Sequence, residues 1–333
     1  METSFVVRIV VAILLACGLA GHGYRKRSLD WTGALAAVIV GFLTFSVSYR
    51  MGVVLIVFYY TGSKMTKVRG DLKERYEYKY KAAGQRNASQ VLTNSLLATV
   101  IAVVFYYVIG EDNHNVEFAY GKEIRGLLLE LDNIMYQKSH VDSETGRIFY
   151  RIIGSYFWSA YVAHYACANG DTWASELGIL SKSNPRLITS LFTQAVPRGT
   201  NGGVSWEGTI ASALGGALIG LTFWICAVVQ NFGLAPSKVP PQYPMIIAGL
   251  CSGIVGSLID SLLGATLQAT YFNTDTRQIV KSEDLPPKLR GHNSIKKIQG
   301  VDILTNEAVN FFAIGTTMVL SLYYTPLVFK YFS

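Results

Sequence analysis

Long apolar runs separated by shorter polar stretches dominate this chain. The runs cover residues 5–20, 31–49, 51–61, 91–109, 152–168, 204–229, 243–269 and 309–329. A helix needs about 20 mainly apolar residues to cross a bilayer, and most of the runs approach that length. Lipid offers the backbone no hydrogen-bonding partners, so a span must be a helix or part of a closed barrel. Residues 31–61 predict either a hairpin of two short helices, with Arg50 at its tip, or one long tilted helix. The expected fold is an all-α polytopic membrane protein, a bundle of about seven or eight transmembrane helices with cytoplasmic polar loops. Residues 1–333 read as a single integral membrane domain, with residues 110–151 as a polar, non-cytoplasmic insertion.

Composition supports the pattern. Half of the residues are hydrophobic and 15% are charged, where soluble domains carry about 25%. The net charge of +7 is concentrated, since residues 64–86 hold eight Lys or Arg and three acids. Such a loop stays on the cytoplasmic side. It also suits anionic headgroups or phosphates; nucleic acid is not among the expected partners. The first run is read as an uncleaved helix, because Arg25-Lys26-Arg27 follows it directly. Cys17, Cys167, Cys226 and Cys251 all lie in apolar runs and read as reduced packing residues.

Threading the chain from the basic loop places residues 169–203 and 271–307 on that same side. The polar motifs then share one face. The first is Asn169-Gly170-Asp171-Thr172-Trp173-Ala174-Ser175-Glu176-Leu177-Gly178, just after an apolar run. It reads as the start of a helix or a broken-helix turn. Asp171 is a candidate catalytic residue and, with Glu176, a candidate metal ligand, and Ser175 is a candidate phosphate contact. The bland alternative is an Asp that caps a helix N-terminus.

Lys182, Arg186 and Arg198 follow in a loop of small polar residues. Gly199-Thr200-Asn201-Gly202-Gly203 then leads into the next run. Consecutive backbone N–H groups of such a loop can cradle phosphate at a helix N-terminus. Thr200, Asn201, Gly202 and Gly203 are therefore candidate phosphate contacts, with Arg198 in a catalytic role. An ordinary turn before a membrane helix is the alternative. The loop is not a Walker A motif, because the Lys-Ser/Thr pair is missing.

Lys64, Arg86, Asn87 and Gln90 are further phosphate candidates, while Lys67, Arg69, Lys73, Lys79 and Lys81 read as topological charge. Asp260 lies inside an apolar run, on a stripe with Gly253, Ser257, Gly264 and Gln268. An acid at membrane depth costs ~2.5–3.5 kcal/mol and should face a polar cavity, so Asp260 is a catalytic and metal-ligand candidate. Gly208, Ser212, Gly216 and Gly220 form a second small stripe, read as helix packing. Asp302, Asn306 and Asn310 stand four apart where the last helix begins. Asp302 is a metal candidate and the two amides are phosphate candidates.

Ser28-Leu29-Asp30, Gly84-Gln85-Arg86-Asn87, the Gly170–Glu176 segment, Pro185-Arg186-Leu187-Ile188-Thr189, Gly199–Gly203 and Asp260-Ser261-Leu262-Leu263-Gly264-Ala265 together resemble the transmembrane protein 19 family. The family is also called domain of unknown function 92. It includes a plant phytyl-phosphate kinase, so the resemblance implies an isoprenoid substrate. Gly170-Asp171, Ala174-Ser175 and Gly178 are also similar to the Gly-Asp…Ala-Ser…Gly pattern of phytol kinases, dolichol kinases and CDP-lipid synthases. That likeness implies CTP, a divalent metal and a ligand role for Asp171, although the lysine usual near Arg198–Gly203 is not evident here.

The combined expectation is a membrane-embedded isoprenoid monophosphate kinase that uses Mg2+ and a nucleoside triphosphate, in the endoplasmic reticulum or another endomembrane. A CDP-lipid-type nucleotidyltransferase and a lipid transporter or flippase are the alternatives.

Overall fold

The computed structural model describes residues 2–78, 85–109, 116–118, 144–235, 239–285 and 291–332. The chain is mainly helical. Glu2–Arg25 (α1), Trp206–Gln230 (α8), Pro244–Leu267 (α9) and Asn306–Phe332 (α10) contain spans long and apolar enough to cross a membrane. Trp31–Val47 (α2) and Leu96–Ile109 (α6) are shorter apolar helices.

The 31–61 run is a pair of helices, α2 and Tyr49–Thr66 (α3), broken at Ser48, whose backbone is extended. Asp30 caps α2 by accepting from Gly33 N at 2.7 Å. Arg50 is not an exposed hairpin tip. It is 3% exposed, donates to Gln230 Oε1 at 2.7 Å, and lies 4.7 Å from the Phe223 ring centroid.

The 91–109 run is also divided. Ala88–Thr93 (α5) stops at Asn94 before α6 begins. Buried His164 holds the Asn94 carbonyl with its ring Nε2, 2.9 Å away.

Glu144–Gly178 (α7) is the axis of the bundle and packs against α3, α6, α8, α9 and α10. Its aromatic face meets the neighbouring helices through Phe105–Trp158 and Trp158–Phe223 pairs, each 5.2 Å between centroids. Surrounded by protein, α7 can carry more polar residues than a lipid-facing span. It begins earlier than the 152–168 run suggested, so part of the expected polar insertion is helix; 110–115 and 119–143 lie outside the described residues.

Three helices cross closely because their contacts are small. A Cβ on Gly170 would meet Gly253 Cα and Ser212 O at 2.8 Å. The Gly208–Gly220 stripe therefore packs as expected.

The polar loops hold more structure than the sequence suggested. A single turn at Gly70–Lys73 (α4) follows α3. Arg186–Leu187 (β1) pairs antiparallel with Gly203–Val204 (β2). Within the stretch read as a loop, Gln278–Lys281 (β4), Thr270–Asn273 (β3) and Ile295–Gln299 (β5) form a three-stranded antiparallel sheet in the order β4-β3-β5. The basic loop joins its edge, since Tyr78 N donates to Ile279 O and Ile279 N to Tyr76 O, both at 2.8 Å. The sheet and loops gather at the end of the bundle that the charge pattern assigns to the cytoplasm.

Candidate functional site

A cavity of about 680 Å3 opens at that end. It is lined by the C-terminal ends of α3, α7 and α9, the N-terminal ends of α5, α8 and α10, and the loops between them. Consecutive helices running in alternate directions bring these ends together, which is how segments far apart in sequence share one hollow.

Asp171 does not begin a helix. It sits two turns before the C-terminus of α7, where no free backbone N–H awaits a cap. The capping explanation therefore fails, and the side chain lines the cavity against Ser257. Asp260 faces the same space from α9, within electrostatic reach of Asp171. With its amide nitrogen turned toward α9, Asn310 donates to Asp260 Oδ2 at 2.9 Å and to Asn306 O at 3.2 Å. Neither aspartate forms an ion pair among the described residues.

Glu176 also lines the cavity, but Lys73 neutralises it at 2.5 Å. Lys73 is fully buried and donates as well to Met65 O at 3.1 Å and Thr66 O at 3.3 Å. A carboxylate held this way is a poor metal ligand, and Lys73 is structural rather than merely topological charge.

Arg86 is the best-placed cation. Its backbone is clamped between α1 and α2, with Arg86 N donating to Ser28 O at 3.0 Å and Asp30 N to Arg86 O at 3.1 Å. Gly62 leaves room for the side chain, since a Cβ there would stand 3.3 Å from Arg86 Nη2. The guanidinium enters the cavity near Tyr59 and Glu176. Burial lowers its pKa, and those two groups partly restore it. Lys281, at the end of β4, lines the opposite wall and pairs with Glu77 at 2.7 Å. Burial alone would lower its pKa, but Glu77, Glu283 and Asp284 outweigh that and raise it.

Asn87 and Gln90 line the cavity, yet their side chains form a capping box on α5. Thr200, Asn201, Gly202 and Gly203 line it too. The loop is not a cradle of free amides. Thr200 N donates to Pro197 O at 3.2 Å, Gly203 N to Thr200 O at 3.0 Å, and Asn201 N to Thr270 Oγ1 at 3.4 Å. Gly202 serves packing: its φ is +78°, and a Cβ would stand 2.8 Å from Ser261 O. Ser175, Asn306 and Asn310 reach the cavity as expected.

Other candidates do not line it. Arg198 donates to Tyr76 Oη at 2.9 Å and Lys182 O at 2.8 Å, tying two loops together. Arg186 donates to Phe192 O and Thr193 O, both at 3.1 Å. Lys64 and Lys182 are exposed. Asp302 accepts from Ser282 Oγ at 2.6 Å and faces an adjoining cavity of about 180 Å3, which shares Asn201, Gln268, Lys281, Glu283 and Asn306 with the chamber. These cations were selected for proximity in sequence, whereas the fold turns them toward loop carbonyls and rings.

Lys73, Glu77, Lys281, Glu283, Asp284 and Glu307 were missed as lining residues. The β-branched pair Ile279-Val280 between Gln278 and Lys281 could have marked a strand, but no local signal pairs Lys73 with Glu176. In all, the described lining carries seven acids and three bases. Such a wall repels a bare polyanion; it admits one that arrives with cations. Among the described residues, no three His, Cys, Asp or Glu side chains form a metal-binding group. Two oxygen-ligand carboxylates do fit Mg2+, which is bound through one or two carboxylates with substrate phosphates and water completing the shell.

The fold and the cavity define a multi-pass integral membrane protein with a polar, acid-rich chamber at one end. Residues 14–318 match the family described as Integral membrane protein DUF92, and the chain belongs to that family. It is 36% identical over 326 residues to Protein PGR of Arabidopsis thaliana, covering 96% of this chain and 97% of that protein. The Uncharacterized membrane protein MJ0933 of Methanocaldococcus jannaschii is 28% identical over 222 residues, covering 66% and 71%. Protein VTE6, chloroplastic, of Arabidopsis thaliana is 25% identical over 205 residues, covering 61% of this chain and 49% of its own length. No solved structure matches.

Proposed function

We propose that this protein is a membrane-embedded phosphotransferase that moves a phosphoryl group from a nucleoside triphosphate to an isoprenoid monophosphate. One observation carries the reading: Asp171 and Asp260, neither in an ion pair among the described residues and with Lys281 acting on Asp260 only at longer range, meet in a chamber whose acid excess calls for a metal-bound polyanion. The choice of an isoprenoid draws its support from the family resemblance.

Asp171 and Asp260 would hold Mg2+, which when bound offsets phosphate charge and aligns the reacting groups. Ser257 and Asn310 fix the two carboxylates from α9 and α10. Arg86 would receive the lipid phosphate at the bundle side of the chamber, and Lys281 lies on the wall toward the polar loops. The lipid phosphate oxygen attacks the terminal phosphorus of the triphosphate. The bond from that phosphorus to the bridging oxygen breaks, and the nucleoside diphosphate leaves with the electron pair. The acceptor is already ionised, so no strong general base is needed; positioning and electrostatics supply most of the catalysis.

Purified protein incubated with prenyl monophosphates, each nucleoside triphosphate and Mg2+ should yield a lipid heavier by one phosphoryl group. Addition of a whole nucleotide would instead establish nucleotidyl transfer, and movement of lipid between leaflets without triphosphate consumption would establish transport. The relatives lend no support to an endoplasmic reticulum location, and one carries "chloroplastic" in its name.

A further inference from the structure

A second hollow, of about 70 Å3, lies between α1, α2, α3 and α5. Its walls are apolar and include Ala20, Ala37, Val40, Phe45 and Phe58. Beside it α1 and α2 approach closely through small side chains, since a Cβ on Gly41 would stand 3.2 Å from Ala16 Cβ. Close packing is the rule inside proteins, and an apolar void of this kind stays dry. Its position makes it more than a packing defect. Arg86, Gln90 and Asn94 line both this hollow and the polar chamber, so the two spaces meet at those three residues. Gln90 is engaged in the α5 cap. Arg86 is the cation at the junction, with no hydrogen bond from its guanidinium to a described residue. Tyr59, which shares a 2.7 Å hydrogen bond with Ser28, stands beside it.

An apolar slot that ends at a cation and opens into a phosphate chamber has the shape of a lipid phosphate. We propose that the slot between α1, α2, α3 and α5 receives the first carbons of a single-chain lipid phosphate whose headgroup is held by Arg86. This rests on the reading of the chamber as a lipid-phosphate site. The size of the slot sharpens the proposal. An apolar cavity of about 150 Å3 takes a benzene-sized ligand, so a slot about half as large takes only a few carbons. A two-chain phospholipid does not fit at the junction, and the rest of a long chain must leave between helices into the bilayer. Selectivity then resides in the carbons nearest the phosphate, while total chain length matters little.

The test uses the full chain in lipid nanodiscs and a farnesyl monophosphate analogue with a diazirine near its phosphate. Photolabelled peptides are located by mass spectrometry. Label should fall on α1–α3 around Ala20, Ala37 and Val40, and should be displaced equally well by unlabelled ten- and twenty-carbon prenyl phosphates. Ala37→Phe should cut labelling by about tenfold, the scale of discrimination in a small apolar pocket, and Ala37→Leu by less. Label on the outer faces of α8–α10, label indifferent to both variants, or no label above the dark control would overturn the slot. Label in the slot without turnover of any triphosphate would keep the slot and remove the kinase reading. Turnover with label elsewhere would do the reverse.

Discussion

Charge is held inside both ends of this bundle, and the two ends treat it in opposite ways. At the far end a single cation, Arg50, is enclosed by Gln230 and the Trp158 and Phe223 rings, and the aromatic core closes around it. At the near end two carboxylates, Asp171 and Asp260, face each other across an open chamber with hydroxyl and amide partners. Arg50 is enclosed by protein groups, an amide and two rings. The aspartates hold like charge in one place, which folding alone would select against. A charge that the fold has closed over is architecture; one left open to an incoming cation is a site. Lys73 and Glu176 make the same contrast within α7, since Glu176 lies one and a half turns beyond Asp171 yet has its cation built in.

The sharpest way to break this contrast is to remove one charge at each end. Asp171→Asn or Asp260→Asn should lower turnover on the order of 100-fold or more, equivalent to a few kcal/mol of lost transition-state stabilisation. In EDTA the same variants should be at least as resistant to thermal unfolding as the parent, because one of two like charges is gone. Loss of both activity and stability would make the aspartates structural.

Lys73→Met should be the most destabilising of the single changes, by about 2–3 kcal/mol, because it takes the built-in cation from the half-buried Glu176 and leaves the Met65 and Thr66 carbonyls without their donor. Adding Glu176→Gln should recover most of that loss in a thermal melt. The Glu176→Gln variant alone should keep its apparent Mg2+ affinity; a large weakening would restore Glu176 as a ligand.

Arg50→Ala should cost on the order of 2 kcal/mol of stability and leave both KM values unchanged. A kinetic effect there would couple the two ends, against the contrast drawn here. Arg198→Ala should have the smallest effect, about 1 kcal/mol from the lost Tyr76 and Lys182 contacts, with both KM values intact. A raised KM for the nucleotide would return Arg198 to the site.

The helices were legible because lipid leaves the backbone few options, and the run lengths gave nearly all of them. Asp260 drew notice for a related reason, since an acid at membrane depth is expensive, and Asp171 through the polar motif at the end of its apolar run. The cations were not. Arg86 was found, but Lys64, Lys182, Arg186 and Arg198 were chosen from loops, and a loop cation has many places to point. Lys73 and Lys281 escaped because their partners, Glu176 and Glu77, lie on segments distant in sequence. The β4-β3-β5 sheet was hidden by its charge. Residues 295–299 read Ile-Lys-Lys-Ile-Gln, and only pairing with Thr270–Asn273 makes them a strand. The glycine loop misled in the other direction: its composition suggests a phosphate cradle, while three of its amides bond within the protein.

The central claim is that Asp171 and Asp260 jointly hold a divalent cation carrying phosphate. Mn2+ can stand in for Mg2+ and be counted by electron paramagnetic resonance on purified protein with and without a nucleoside triphosphate. The parent should bind Mn2+ in the presence of the nucleotide, and Asp171→Asn/Asp260→Asn should lose that binding while remaining folded. Equal Mn2+ binding by the double variant, or none by the parent, would contradict the account.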